Sequence, residues 1–172
     1  MEQHFIITIK AENRPGLLHL ITGILNRKRV PIVNLTAAPT DIHEIVMVSM
    51  EIAISEKALY PLLYKLENII EVFAVEAMNA DQVICQRSAY FRLHKEILAS
   101  PQAMVISRHD AQIVNLYPDA ILIGKSGSEA AIRALYNALE GPHLLGFSQT
   151  GLIADSSLIR HEDIERISKL AA

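Results

Sequence analysis

The stretch A-E-N-R-P-G-L-L-H-L-I-T-G-I-L-N-R-K, residues 11–28, indicates how this chain folds. It places a turn signal directly before an amphipathic run. The apolar residues of the run recur at helical spacing, and they are Leu17, Leu18, Ile21, Ile24 and Leu25. The pattern predicts a turn followed by a helix that begins at Pro15 and ends by about Arg29.

The segments around this helix predict one small α+β domain. Runs of β-branched and apolar residues favour strands, and a second helical pattern follows the third strand. The predicted strands cover 4–9, 32–37, 44–54 and 69–77, and the second helix covers 55–67. The order β-α-β-β-α-β over residues 1–78 is that of a ferredoxin-like domain.

A second ferredoxin-like domain is predicted over residues 82–172, after a short linker at 79–81. Its pattern is less clear, and the two halves share no convincing identity. A weak helical pattern over 94–108 is interrupted by proline. A better helix follows Gly124, where S-G-S-E at 126–129 has the form of a capping box. The predicted strands are 89–93, 111–116, 120–123 and 144–154, and a final helix is predicted at about 158–170.

Composition restricts the possible functions of the 172-residue chain. Half of its residues are apolar and only 5% are aromatic, as in a folded protein with an aliphatic core. The net charge of −3 gives no basic surplus for phosphates, so we expect no nucleic-acid partner. No apolar run is long enough to span a membrane, and a single cysteine, Cys85, favours a cytoplasmic location.

Sequence motifs for catalysis and metal binding are incomplete. His43-Glu44 begins like a zinc-protease motif, but Met47 occupies the position of the second histidine. Gly124-Lys125-Ser126 resembles the end of a phosphate-binding loop, but Asp119 stands where that loop needs glycine. The tetrad at 107–110 is interpreted as a polar loop, and no two histidines have ligand spacing. We therefore predict no catalytic residue and no metal site.

The turn Asn13-Arg14-Pro15-Gly16 has a structural and a functional interpretation. Proline restricts Arg14 to extended geometry and suits the first helical position. Gly16 in the first turn costs about 0.5–1 kcal/mol relative to alanine. Its missing side chain leaves the free N–H groups of the helix start accessible, so a carboxylate can dock there.

Two segments carry a resemblance to a known family. The half with N-R-P-G-L-L between its first strand and helix resembles an ACT domain, a small-molecule sensor of amino-acid metabolism. The segment I-V-N-L-T-A-A-P-T, residues 32–40, is similar to the I-x-S-L-T-V-A-P-T of acetolactate synthase regulatory (small) subunits. The chain length and the second α/β half also match, so the resemblance covers residues 1 to about 155.

The resemblance implies a non-catalytic subunit rather than an enzyme. Such a subunit binds and activates a thiamine-diphosphate-dependent large subunit and conveys feedback inhibition by a branched-chain amino acid, usually valine. Thiamine diphosphate and its metal are then expected on the large subunit only. ACT domains of the family pair, so the resemblance also implies a homodimer with the effector at the interface.

By motif position, the resemblance assigns effector binding to the first turn and to a facing strand. Helix N–H groups can take the ligand carboxylate, the Asn13 carbonyl can take the ammonium, and Leu17 or Leu18 can border an aliphatic side chain. The implied residues are Asn13, Pro15, Gly16, Leu17 and Leu18 at the turn, with Pro31, Ile32 and Asn34 at the strand.

Pro31 departs from the family pattern, because the family commonly has an asparagine there that helps to hold the effector. The change predicts weak or altered valine sensitivity. Asn34 is the nearest replacement, but strand alternation turns its side chain to the opposite face from residue 31. A replacement would therefore need a β-bulge or the partner subunit.

Two other functions stay open at this point. One is a free-standing ACT-type sensor that binds an amino acid and regulates another metabolic enzyme. The other is a small enzyme in its own right. The sequence argues against this function, because it does not indicate an acid, a base and a nucleophile that lie together. The sequence does not separate the first of these from a synthase subunit.

Overall fold

The computed structural model describes residues 2–154, and the predicted final helix at 158–170 lies outside them. The chain divides into two compact units. The described residues of the first are 2–84 and 153–154, and the second covers Cys85–Leu152. The first unit contains β1 (Gln3–Glu12), α1 (Leu17–Arg27), β2 (Ile32–Pro39), β3 (Ile45–Ile54), α2 (Glu56–Glu67) and β4 (Val72–Asn79).

The sheet of the first unit is antiparallel, with strand order β2-β3-β1-β4. Alternate residues of β1 and β3 pack with α1 and α2 in one hydrophobic core. Its fully buried members include Ile7, Ile9, Ile21, Leu25, Met50, Ile52, Leu62 and Leu66. The predicted α+β class and ferredoxin-like order are confirmed for this unit.

Strand β1 is longer than the sequence predicts. The polar residues from Lys10 onward were expected to end it, but Lys10 pairs with Met47 and Glu12 pairs with Ile45. Alternation places Lys10 on the sheet face opposite the helices, with Thr8. A polar residue on that face does not interrupt the core, so the expected break is wrong.

The second unit has the same architecture, with strand order β6-β7-β5-β8. The predicted second ferredoxin-like domain is confirmed in its sheet order. Its elements are β5 (Cys85–His94), a 3₁₀ turn (Lys95–Ala99), α3 (Ala103–Arg108), β6 (Gln112–Leu116), β7 (Ala120–Gly127), α4 (Glu129–Leu139) and β8 (Leu144–Gln149). The short strand β9 (Ile153–Ala154) follows in the chain and is assigned to the first unit.

Of two local predictions in the second unit, one is confirmed and one is wrong. The helical pattern over 94–108 is interrupted around Pro101 as predicted, because the 3₁₀ turn ends at Ala99 and the six-residue α3 begins at Ala103. The capping box does not start at Ser126, because β7 continues to Gly127 and the Ser126 hydroxyl lies 2.8 Å from that of Ser88. Ser128 caps α4 instead, since its hydroxyl accepts the Ala131 N–H at 3.2 Å.

Residues 2–154 contain no helix with both the length and the apolar character that a membrane span requires.

Candidate functional site

The first strand-to-helix connection is a type II turn. The Leu17 N–H donates to the Arg14 carbonyl at 3.2 Å, and Gly16 has φ +93° and ψ −14°. This turn type favours proline at its second position and needs a residue that tolerates a positive φ, usually glycine, at its third. The helix α1 therefore begins at Leu17, and the prediction that Pro15 is the first helical residue is wrong.

The backbone itself explains why residue 16 is glycine. A left-handed conformation costs other residues about 1–2 kcal/mol. A Cβ built on Gly16 would meet nothing within 4 Å, so the space above the turn is open. The sequence analysis explained Gly16 by ligand access alone. In the structure, its left-handed backbone conformation explains the glycine, and the open space above the turn is an additional feature.

The start of α1 presents two unused hydrogen-bond donors. The first helical bond runs from the Leu20 N–H to the Gly16 carbonyl at 3.0 Å. Within residues 2–154, the N–H groups of Leu18 and His19 have no acceptor. Together with the positive end of the helix dipole, these donors can bind a carboxylate.

Carboxylates surround the same turn. Arg14 Nε lies 2.7 Å from Glu12 Oε1, and this hydrogen bond and charge raise the pKa of the Arg14 guanidinium. The charges of Glu71 and Glu44 raise it further. Backbone bonds hold these residues in place: Glu12 N–H donates to the Glu71 carbonyl at 2.8 Å and Asn13 N–H donates to the Glu44 carbonyl at 2.7 Å.

The turn therefore combines anion-binding N–H groups with nearby negative charge, which is complementary to the zwitterion of an amino acid. The sequence analysis did not predict the carboxylates around the turn. Glu12 is next to the turn in sequence, but Glu44 and Glu71 reach it only through strand pairing.

The remaining implied residues lie at the other end of the sheet. The turn follows Glu12, which pairs with Ile45 of β3, whereas Ile32 pairs with Ile52. Seven residues of an extended strand separate these two positions, about 24 Å. Asn13 to Leu18 and Pro31 to Asn34 therefore do not form one site within a single unit.

Strand β2 contains a bulge. Ile32 pairs with Ile52 and Asn34 pairs with Glu51, so Val33 is the extra residue. Ile32 consequently shares the core-side face with Ile52, while Asn34 lies on the opposite face with Glu51. The Asn34 Oδ1 accepts the Thr36 hydroxyl at 3.5 Å. The sequence analysis required a β-bulge, or the partner subunit, for Asn34 to replace the amide that is missing at Pro31. The structure contains such a bulge.

A groove of about 400 Å³ lies between α1 and the start of β2. Ile32 borders it, and the other lining residues are His19, Thr22, Gly23, Asn26 and Val30. Two apolar residues adjacent in sequence to lining residues are exposed, with 45% of Leu20 and 52% of Val33 accessible. Because β2 is also an edge strand, this side of the unit is suited to pairing with another surface.

Comparison with known proteins finds acetolactate synthase small subunits that resemble this chain along most of its length. The acetolactate synthase small subunit of Haemophilus influenzae is 27% identical over 162 residues, which cover 88% of this chain and 94% of that protein. The acetolactate synthase small subunit of Mycolicibacterium smegmatis is 17% identical over 151 residues, covering 87% and 89%. No protein-family model matches the chain.

A solved structure shows the same fold. The acetolactate synthase small subunit from Thermotoga maritima superposes with a TM-score of 0.80 at 13% identity, covering 88% of this chain and 96% of that chain. The resemblance to acetolactate synthase small subunits that the sequence motifs predict is confirmed.

Proposed function

We propose that this chain is the regulatory subunit of an acetolactate synthase, which binds and activates the catalytic large subunit. The observation that carries the proposal is the similarity to small subunits along almost their whole length, 94% in the Haemophilus influenzae protein. Thiamine diphosphate, its metal and the carbon–carbon chemistry belong to the large subunit in this proposal. We place the complex in the cytoplasm, as the single cysteine favours.

The proposed effector site lies between two copies of the first unit. The turn lies at the same end of the sheet as Pro39, the last residue of β2, because Pro39 and Ala11 both pair with Val46. If two copies meet across their β2 edges on a two-fold axis, the strands run antiparallel. The turn of one copy then lies near Ile32 of the other. This arrangement brings together the turn residues and the β2 residues, which lie apart within a single unit.

The proposed ligand is a branched-chain amino acid. Its carboxylate accepts hydrogen bonds from the free N–H groups of Leu18 and His19. Its ammonium lies toward the side-chain carbonyl of Asn13 and the acidic groups around the turn. Leu17 is buried in the core, so Leu18, with 41% exposed, is the turn residue that contacts the aliphatic side chain. Ile32 of the second copy supplies the opposite apolar wall.

The test is reconstitution with the thiamine-diphosphate-dependent large subunit from the same source. The chain alone should form no acetolactate from pyruvate, should raise the rate of the large subunit, and should make that rate sensitive to valine, leucine or isoleucine. Turnover by the pure chain, or a large subunit that does not respond, would contradict the proposal.

The alternative function is a free-standing amino-acid sensor for a different enzyme. The observation that favours it is that the donors and charges of the turn need no catalytic subunit to bind a zwitterion. Calorimetric binding of an amino acid, without any effect on the large subunit, would select this alternative.

A further inference from the structure

We propose that His94, Glu96 and His143 of the second unit form a binding site for a divalent transition-metal ion such as Zn²⁺. His94 is the last residue of β5, Glu96 lies in the following 3₁₀ turn, and His143 lies just before β8. Each offers one ligand atom, and these atoms all lie within 4.8 Å of one another.

The backbone fixes the positions of the two histidines. The His94 N–H donates to the His143 carbonyl at 2.8 Å, directly beside the β5–β8 pair Leu93 and Leu144. The Lys95 N–H donates to the Asp119 carbonyl at 3.0 Å, which anchors the start of the 3₁₀ turn. The ligand set is therefore built by sheet pairing and does not depend on a freely moving loop.

The distance between two of the ligands already fits a tetrahedral ion. His94 Nδ1 lies 3.5 Å from Glu96 Oε2. Two ligands with bonds of about 2.0–2.2 Å to one tetrahedral ion are separated by about 3.4 Å. Small side-chain rotations then suffice to bring the third ligand, His143, to the same ion.

A long hydrogen bond at His94 is the contact that a metal ion would replace. The Glu96 N–H donates to His94 Nδ1 at 3.4 Å. At that length the hydrogen bond is weak and is readily exchanged for a metal bond.

Two imidazole nitrogens and one carboxylate oxygen are a ligand set that zinc and neighbouring divalent metals bind. Three protein ligands leave a coordination position for water or for another molecule. The side chain of His94 is 40% exposed and that of Glu96 is 75% exposed, so an ion can enter without opening the fold. A bound ion would link the end of β5 to the start of β8 and so stabilise the second unit.

The test is calorimetric titration of the full metal-free chain with ZnCl₂ at neutral pH. We expect one equivalent to bind and to raise the melting temperature, whereas Mg²⁺, which prefers oxygen ligands and water, should do neither. His94→Ala and His143→Ala should each weaken zinc binding at least tenfold. Glu96→Gln, which keeps the side-chain size, should also weaken it.

His109→Ala is the matched control, because it removes a histidine of the same unit outside the cluster, and its zinc affinity should equal that of the natural chain. Co²⁺ gives a second readout, since tetrahedral coordination produces visible absorption that both cluster histidine variants should lose. No binding, or binding that persists in both folded histidine variants, would overturn the proposal. These measurements do not involve the large subunit, so they are independent of the proposed regulatory function.

Discussion

Replacing Gly16 with aspartate tests the proposed carboxylate site most directly. The residue has φ +93°, a conformation that costs a non-glycine residue about 1–2 kcal/mol. Its Cβ would meet nothing within 4 Å, so no steric cost is added. A negative charge at the helix start contributes about 0.3–1 kcal/mol in the opposite direction. Gly16→Asp should therefore remain folded with a modestly lower melting temperature.

The effect of Gly16→Asp on the effector should be larger than its effect on folding. The new carboxylate would lie beside the N–H groups of Leu18 and His19, where the ligand carboxylate is proposed to bind. Two like charges about 5 Å apart at an effective dielectric constant of about 20 repel by roughly 3 kcal/mol. This corresponds to a loss of roughly a hundredfold or more in affinity for the amino acid.

The assay is inhibition of the reconstituted synthase by valine, together with calorimetric binding to the isolated chain. Gly16→Asn is the matched control, because asparagine has the shape of aspartate and similar tolerance of the left-handed region but carries no charge. We expect Asn to change valine affinity by several-fold at most and Asp to abolish the response. Equal losses of valine affinity in both variants would show that the side-chain shape, not the charge, is responsible. Full inhibition by valine in a folded Gly16→Asp variant would show that the ligand carboxylate binds elsewhere.

Three further outcomes are expected. Pro31→Asn should bind valine at least roughly tenfold more tightly in calorimetry, since a hydrogen bond to a charged group contributes about 1.5–3 kcal/mol; an unchanged Kd would show that residue 31 does not contact the effector. Val33→Asp should dissociate the dimer in light scattering by charging the exposed β2 edge, whereas Ile70→Asp, at a site 96% exposed, should not; a Val33→Asp dimer would refute the β2 interface. Gly124→Ala should lower the free energy of unfolding by about 1–3 kcal/mol in urea denaturation, because its Cβ would lie 2.9 Å from Val114 Cγ2. Gly146→Ala, where the nearest atom is 3.9 Å away, should have little effect, and equal stability of the two variants would contradict this reasoning.

The sheet of the first unit was predictable because its signals are local. In β3, Val46, Val48, Met50 and Ile52 share one face, and all four lie in the core as their alternation indicates. The same reasoning failed at Lys10, since a residue type that ends many strands is tolerated on the face opposite the helices.

The helix starts were less predictable because non-local pairing decides them. Ser126 and Ser128 both precede an acceptable helical run, and each can cap it on local grounds. The extension of β7 to Gly127, paired with Arg87, leaves only Ser128 at the cap position. The same applies to His94 and His143, which no sequence spacing connects and which the β5–β8 pairing brings together.

The candidate effector site shows the limit of motif transfer most clearly. A motif identifies Ile32 and Asn34 as neighbours on one strand, and strict alternation would place both on one face. The bulge at Val33 places them on opposite faces, so a ligand in the groove beside α1 contacts Ile32 but not Asn34. Asn34, on the face opposite the core, is placed only for a ligand that lies against that face. Asn34→Ala should therefore weaken valine binding by the dimer if the effector lies there, and an unchanged Kd would assign the effector to the face of Ile32.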